Sequence, residues 1–358
     1  MFIRKLQLTN FKNHGKKTFL FEEKLLAFVG KNGLGKTNIL DAIYFLCIGK
    51  SYFSRNDKLC IKHDESFFRL QMEVEDGEKK EVILIQELNK RKSIRVNELA
   101  YEKLSDHLGV FPIVIVAPND NQLILGSAEE RRKYIDQTLS QLSRKYLRTL
   151  MEYNSLLKDR NALLKQAEEK GLNRTLLEIY NQKLNENAQF IYEQRRNFSE
   201  DILAYFKESY KVLAGKDEDF NIEYQSDLEN NNLVDLLQKS LQKDLILKRT
   251  TKGVHRDDFI FSMGGEALKD FGSQGQQKTF LLALKLTQFN FLKAQLNKVP
   301  LFIIDDIFDK LDAERSVNLV KFLAEQDAQV FISHTGRDIF QAVLDLPIQL
   351  MELTDGEG

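Results

Sequence analysis

Residues 25–48 constrain the fold more than any other stretch of the chain. Leu25-Leu26-Ala27-Phe28-Val29 is an apolar run the length of a buried strand. Gly30-Lys31-Asn32-Gly33-Leu34-Gly35-Lys36-Thr37 follows at once, and a helix is expected from Lys36 to about Ile48. Glycines let the backbone curl until successive N–H groups face one point, and the following helix adds the positive end of its dipole. Such a loop cradles phosphate groups. Lys36 is expected to reach the β- and γ-phosphates of a nucleotide, and the Thr37 hydroxyl to ligate Mg2+. The expected nucleotide-binding set is Gly30, Lys31, Asn32, Gly33, Leu34, Gly35, Lys36, Thr37 and Asn38, with ATP and Mg2+ as the cofactors.

A phosphate loop needs a second, acidic element. Leu301-Phe302-Ile303-Ile304 ends in Asp305, a buried strand closing on a carboxylate, which is the Walker B pattern. Asp305 is assigned to Mg2+ beside Thr37.

Three stretches separate along the chain. Residues 1–125 read as α/β, with period-two alternation in 68–75, 81–88 and 93–99 and a buried strand over 113–118. Residues 126–250 read as helical, lacking proline, with a capping box of Ser127 and Glu130 and a turn at Gly171-Leu172-Asn173. They predict two antiparallel helices of about 40 residues, each roughly 60 Å long at 1.5 Å per residue, forming a protruding arm. Residues 251–358 return to α/β, with a strand pair turning through Gly264-Gly265 and strands at 301–305, 329–333 and near Ile348. The fold class is therefore α/β, with one lobe built from 1–125 and 251–358 and the helical arm of 126–250 inserted as a second lobe.

Composition excludes more than it identifies. No apolar run is long enough to span a bilayer, and the start lacks a hydrophobic signal core, so a cytoplasmic protein without membrane partners is expected. Cys47 and Cys60 have no metal-ligand neighbourhood, and the five histidines are scattered. The 52 Lys+Arg against 53 Asp+Glu leave nucleic acid open, since a basic face matters there rather than the sum.

A third motif narrows the class. Phe271-Gly272-Ser273-Gln274-Gly275-Gln276-Gln277-Lys278 opens a long helix about 30 residues before Asp305, and it resembles the signature of ABC-type ATPases. There Ser273, Gly275 and Gln276 would face the γ-phosphate of another subunit. In the same resemblance Asp306 takes the position of the glutamate that orients the attacking water. Phe308-Asp309-Lys310-Leu311-Asp312 resembles the D-loop, and His334 the switch histidine, so Lys36, Asp306 and His334 form the implied catalytic set.

Over nearly its whole length the chain resembles the bacterial RecF family of SMC/ABC-type ATPases. The likeness is carried by LQLTNFKNH (6–14), residues 30–53, APNDNQLILGSAEERRKYID (117–136), YNSLLKDRNALLK (153–165), GVHRDDF (253–259), GSQGQQKTFLLALKL (272–286) and IDDIFDKLD (304–312). It departs at Asn119, Ala128 and Val254, and in lacking an Arg after Phe53, for which Arg55 is the nearby substitute. The family implies an ABC/SMC-type head, slow ATP hydrolysis, an ATP-dependent homodimer on double-stranded and gapped DNA, and partners of the RecR and RecO type in gap repair. Arg55, Arg131 and Arg132, with Lys58, Lys62 and Lys133, are the candidate phosphate contacts. Two rivals are weaker. An ABC transporter subunit does not explain the long helical insertion, and an SMC-like structural or tethering head needs hundreds of coiled-coil residues where the arm supplies about 80 to 90.

Overall fold

The computed structural model describes residues 1–215, 218–307, 313–336 and 346–354. The first 120 residues carry β1 (Phe2–Phe11), β2 (His14–Leu20), β3 (Leu25–Val29), α1 (Lys36–Ile48), β4 (Phe67–Asp76), β5 (Glu78–Glu87), β6 (Ser93–Val96), β7 (Leu99–Ala100) and β8 (Ile113–Val116). The middle of the chain supplies α2 (Gln122–Leu125), α3 (Ala128–Leu142), α4 (Arg144–Lys170), α5 (Arg174–Ala214) and β9 (Phe220–Gln225). There follow α6 (Leu233–Lys239), α7 (Leu241–Leu247), β10 (Asp258–Met263), β11 (Glu266–Ala267) and α8 (Leu268–Phe271). The last third holds α9 (Gln274–Leu296), β12 (Leu301–Asp305), α10 (Ala313–Glu325), β13 (Val330–His334) and β14 (Ile348–Glu352).

These elements form two compact units. One comprises Met1–Asp120, Glu208–Asp217 and Gln274–Gly358, the other Asn121–Lys207 and Glu218–Ser273. This division differs from the expected boundaries at 126 and 250. Strand β10 pairs with β9, from Asp258↔Gln225 to Met263↔Phe220, so residues 251–273, expected in the α/β lobe, join the inserted unit instead. The signature stretch expected within 253–297 is consequently divided, with Ser273 ending one unit and Gln274 opening the next piece of the other.

In the first unit an antiparallel sheet of order β2-β1-β4-β5-β6-β7 and a parallel sheet of order β14-β3-β13-β12-β8 share one core. Helix α1 packs against β1, β4 and β5 of the former and β8, β12 and β13 of the latter. That position explains a helix buried all round, with Ile39 to Cys47 buried without a break and apolar apart from Asp41, which pairs with Lys12 at 2.7 Å. A side chain also links the sheets. Buried Gln329 accepts from the Ile3 N–H at 2.7 Å and donates to the Ile3 carbonyl at 2.9 Å, imitating a strand partner for β1.

In the second unit, α4 and α5 run antiparallel, with Tyr146 meeting Arg195 near one end and Arg160 meeting Asn181 nearer the turn. Two expectations fail in detail. The first long helix is broken at Ser143, whose backbone is extended and whose Oγ accepts from the Tyr146 N–H at 3.1 Å, restarting the chain as α4. The Ser127–Glu130 box does not form, because Ser127 makes no side-chain cap and Glu130 turns to Lys133 at 2.8 Å. The insertion also has a core of its own. Arg160 and Asp244, both fully buried, pair at 2.9 Å, and Arg195 joins Asp136 and Asp257. Among the described residues no helix is long and apolar enough to cross a membrane.

One buried histidine in each unit is held neutral. His107 shares a 2.6 Å hydrogen bond with the Leu46 carbonyl, and His255 lies between Tyr153 OH at 2.8 Å and the Thr250 carbonyl at 3.2 Å. Burial lowers both from 6.5 to about 4. Well above pH 6.5 neither state binds a proton, so there these sites leave stability unchanged with pH. As pH falls below 6.5 the unfolded chain takes up protons that the folded chain refuses, and stability drops until about pH 4. At pH 5 each histidine is expected to cost about 2 kcal/mol. Denaturant titrations at pH 7 and pH 5 measure the loss, and equal midpoints would refute neutral burial.

Candidate functional site

The glycine loop joins the end of β3 to the start of α1, at the carboxyl edge of the parallel sheet. Two of its glycines are sterically required. At Gly35, with φ +87°, a Cβ would lie 2.5 Å from His14 Nε2 and 2.6 Å from the Asn13 amide, and at Gly30, with φ +151°, 2.6 Å from the Leu353 carbonyl. The contacts at Gly35 reveal residues that sequence reasoning missed. His14 Nε2 lies 3.1 Å from the Gly35 carbonyl and Asn38 donates to Asn13 at 2.7 Å, so the β1–β2 turn braces the loop. Burial keeps the His14 imidazole below its ordinary pKa, which suits a neutral donor to that carbonyl. Lys36 is buried and folds back onto the loop, donating to the Gly30 carbonyl and to that of Lys31 at 2.9 Å. Lys31, Asn32 and Gly33 are exposed, while Leu34 packs against the core.

Strand order brings the acidic element to the loop. Strand β13 lies between β3 and β12, and all three are parallel, so their carboxyl ends meet. Asp305, 2% exposed, accepts from Thr37 Oγ1 at 2.9 Å and from Ser333 Oγ at 2.7 Å. Burial raises its pKa even so, as expected of a carboxylate withdrawn from water. Asp306 adopts φ +46°, and its Oδ1 is buried without a partner among the described residues. With Asn32, Gly33, Gly35, Lys36, Thr37, Asn38 and Ser333 it lines a cleft of about 230 Å3. A hydroxyl beside one carboxylate fits Mg2+, which takes few protein ligands and completes its shell with water and phosphate. Among the described residues there is no cluster of three His, Cys, Asp or Glu that could hold a metal ion.

The remaining expected residues lie elsewhere. Ser273 is exposed, with Gly275 and Gln276 half-buried in the first turn of α9. His334 ends β13 next to Ser333, buried, in register with Val29. The D-loop stretch 308–312 lies outside the described residues. Of the DNA candidates, Arg55 is exposed. Arg131 is a correction, because it is buried and grips Asp258 with Nε at 2.7 Å and Nη2 at 2.9 Å, so its charge is matched inside the unit. Arg132 is half-buried and donates to the Asp257 carbonyl, and Lys133 pairs with Glu129 and Glu130.

Residues 2–356 match the family model for the RecF/RecN/SMC N terminal domain. The DNA replication and repair protein RecF of Flavobacterium johnsoniae is 42% identical over 350 residues, covering 96% of this chain and 97% of that protein. RecF of Phocaeicola vulgatus is 36% identical over 364 residues, covering 100% and 98%. Among solved structures, the recombination mediator protein RecF of the RecFOR pathway, as RecF-ATPrS, superposes with a TM-score of 0.90 at 30% identity over 99% of this chain and 96% of that one. The Smc head domain of Pyrococcus furiosus shares the fold alone, with a TM-score of 0.55 at 18% identity over 99% of this chain and 94% of that one.

The inward placement of Arg131 has a measurable consequence. Arg131→Ala leaves Asp258 with its charge and no guanidinium, and is expected to lower the unfolding free energy by about 3 kcal/mol. A chemical-denaturation midpoint equal to wild type would return Arg131 to the surface.

Proposed function

The chain belongs to the RecF family of DNA replication and repair proteins, within the RecF/RecN/SMC group of SMC-like ATPase folds, and we propose that it is an ATP-dependent clamp on double-stranded DNA in recombinational repair and replication restart. The observation that carries the reading is the 2.9 Å hydrogen bond from Thr37 to Asp305, 268 residues apart, with Asp306 lining the same cleft. A phosphate cradle facing an acidic strand end is what phosphoryl transfer to water needs.

Lys36 exchanges the loop carbonyls for the β- and γ-phosphates of ATP, while α1 presents its uncapped first turn to them. Thr37 and Asp305 would hold Mg2+, which when bound would neutralise charge on the phosphate oxygens. Asp306, with one oxygen unpaired, orients the attacking water and accepts its proton, and His334 contributes at the γ-phosphate. Ser273, Gly275 and Gln276 complete the site of a second copy. Dimerisation then requires ATP, and hydrolysis releases the dimer, because the γ-phosphate contributes to both faces.

The dimer binds duplex and gapped DNA through basic faces that include Arg55. It cooperates with RecR- and RecO-type partners to load recombinase on single strands, a role that the structural relative's place in the RecFOR pathway supports. Contacts to phosphates release counterions, so affinity falls steeply as salt rises and carries no base readout.

Nucleotide binding and turnover separate the roles. Lys36→Met is expected to abolish ATP binding, whereas Asp305→Asn keeps binding within a few-fold and lowers hydrolysis about 100-fold. Normal hydrolysis by Lys36→Met would overturn the ATPase reading. For the composite site, sedimentation with and without ATP and DNA should show a wild-type dimer only with nucleotide, and Ser273→Arg should bind ATP yet stay monomeric. A Ser273→Arg dimer would sink that part of the proposal.

A further inference from the structure

We infer that Ser333 is the positioning residue that sets Asp305 and Asp306 together on the nucleotide cleft, an inference that rests on the ATPase reading above. Consecutive residues of a strand point to opposite faces, so two acidic residues in a row do not both reach one cleft while the strand continues. Here both reach it. Asp305 meets Thr37 at 2.9 Å, and Asp306 lines the cleft beside Thr37. The change of direction happens at Asp306, whose φ of +46° is a left-handed conformation that a residue with a Cβ seldom adopts.

Ser333 is what holds that conformation. Its hydroxyl is fully buried, donates to Asp305 Oδ1 at 2.7 Å and accepts from the Asp306 N–H at 3.0 Å. The Ser333 carbonyl shares the same N–H at 3.3 Å. The proton direction is unambiguous, since a carboxylate only accepts and a backbone N–H only donates, and one hydroxyl does both at once. Alanine removes both bonds together, leaving Asp305 with Thr37 alone and Asp306 with a single, longer backbone bond. Threonine keeps the hydroxyl and suits a strand. Ser333 need not touch the phosphates in this role. It acts through the two carboxylates, so its loss falls on turnover rather than on nucleotide affinity.

Ser333→Ala and Ser333→Thr, made in the full chain, test this by ATP affinity, steady-state kcat and KM, and the thermal unfolding midpoint. The expected result for Ser333→Ala is a kcat lower by about 10- to 100-fold, as for loss of a group that orients a reacting one, with KM and ATP affinity within about twofold. Ser333→Thr should recover kcat to within about threefold of wild type. The inference is overturned if Ser333→Ala keeps the wild-type kcat, if its ATP affinity falls as far as its kcat, or if Ser333→Thr folds with the wild-type midpoint and turns over no faster than Ser333→Ala. Should Ser333→Ala fail to fold, a Ser333→Thr protein of wild-type stability with kcat lost overturns it, and one with kcat kept supports it. Wild-type protein that neither binds nor hydrolyses ATP would remove the ATPase reading itself and this inference with it.

Discussion

The carboxylate of Asp305 is the knot of the nucleotide cleft. It is almost wholly withdrawn from water, yet two hydroxyls from different parts of the chain converge on one of its oxygens. A buried carboxylate without partners would cost several kcal/mol or take up a proton, and its raised pKa shows the pressure towards that outcome. Thr37 and Ser333 offset the cost, and in doing so they fix the first turn of α1 against the ends of β12 and β13. The helix turn and the two strand ends then have one mutual arrangement rather than several, which is what a site for phosphoryl transfer needs.

The second unit meets its own burial problem differently. Arg195 is 2% exposed and binds Asp136, Asp257 and the Val254 carbonyl, while Tyr224 and Ser226 satisfy the other bonds of Asp257. Arg160 binds Asn181, Asp244 and Thr250, and Thr251 completes Asp244. Buried ion pairs contribute little net stability compared with apolar packing, but each partner is costly to remove once the other is committed. The His255-Arg256-Asp257-Asp258 segment therefore has a structural explanation. His255 meets Tyr153, Asp257 meets Arg195, and Asp258 meets Arg131, so three of its four side chains join the β10 end to the helices of the same unit.

These arrangements mark the boundary of what sequence alone reveals. The bounds of α1 and the strands around it were legible because their signals are local: an apolar run, glycines with φ above zero, period-two alternation from Phe67 to Asp76. The helix break at Ser143 was local too, but a serine inside a helical pattern reads equally as a tolerated interior residue. What the sequence did not disclose is pairing over distance. Arg131 sits in a run of charges that looks like a solvated face, and its partner Asp258 is 127 residues away. Ser333 looks like the last residue of a strand until β13 is known to lie between β3 and β12.

The same topology explains where the chain takes up a large insertion. Strands β8 and β12 are parallel neighbours, so the chain between them must cross back from one end of the sheet to the other. Helix α9 performs that return and packs on β8, with Lys285 paired to Asp120 at 3.0 Å just beyond the strand's end. The insertion interrupts this obligatory crossover, entering after Asp120 and leaving before Gln274 apart from the short return at 208–217. Lengthening a connection that has to exist costs only about 0.6 kcal/mol per doubling. Moreover β8 is an edge strand, whereas Asp305, Asp306 and Ser333 sit at the ends of the inner strands β12 and β13, and Thr37 opens the helix that follows inner strand β3. The insertion therefore lengthens the connection that follows the edge strand, while the connections among the inner strands hold the phosphate loop and the acidic pair within hydrogen-bonding reach.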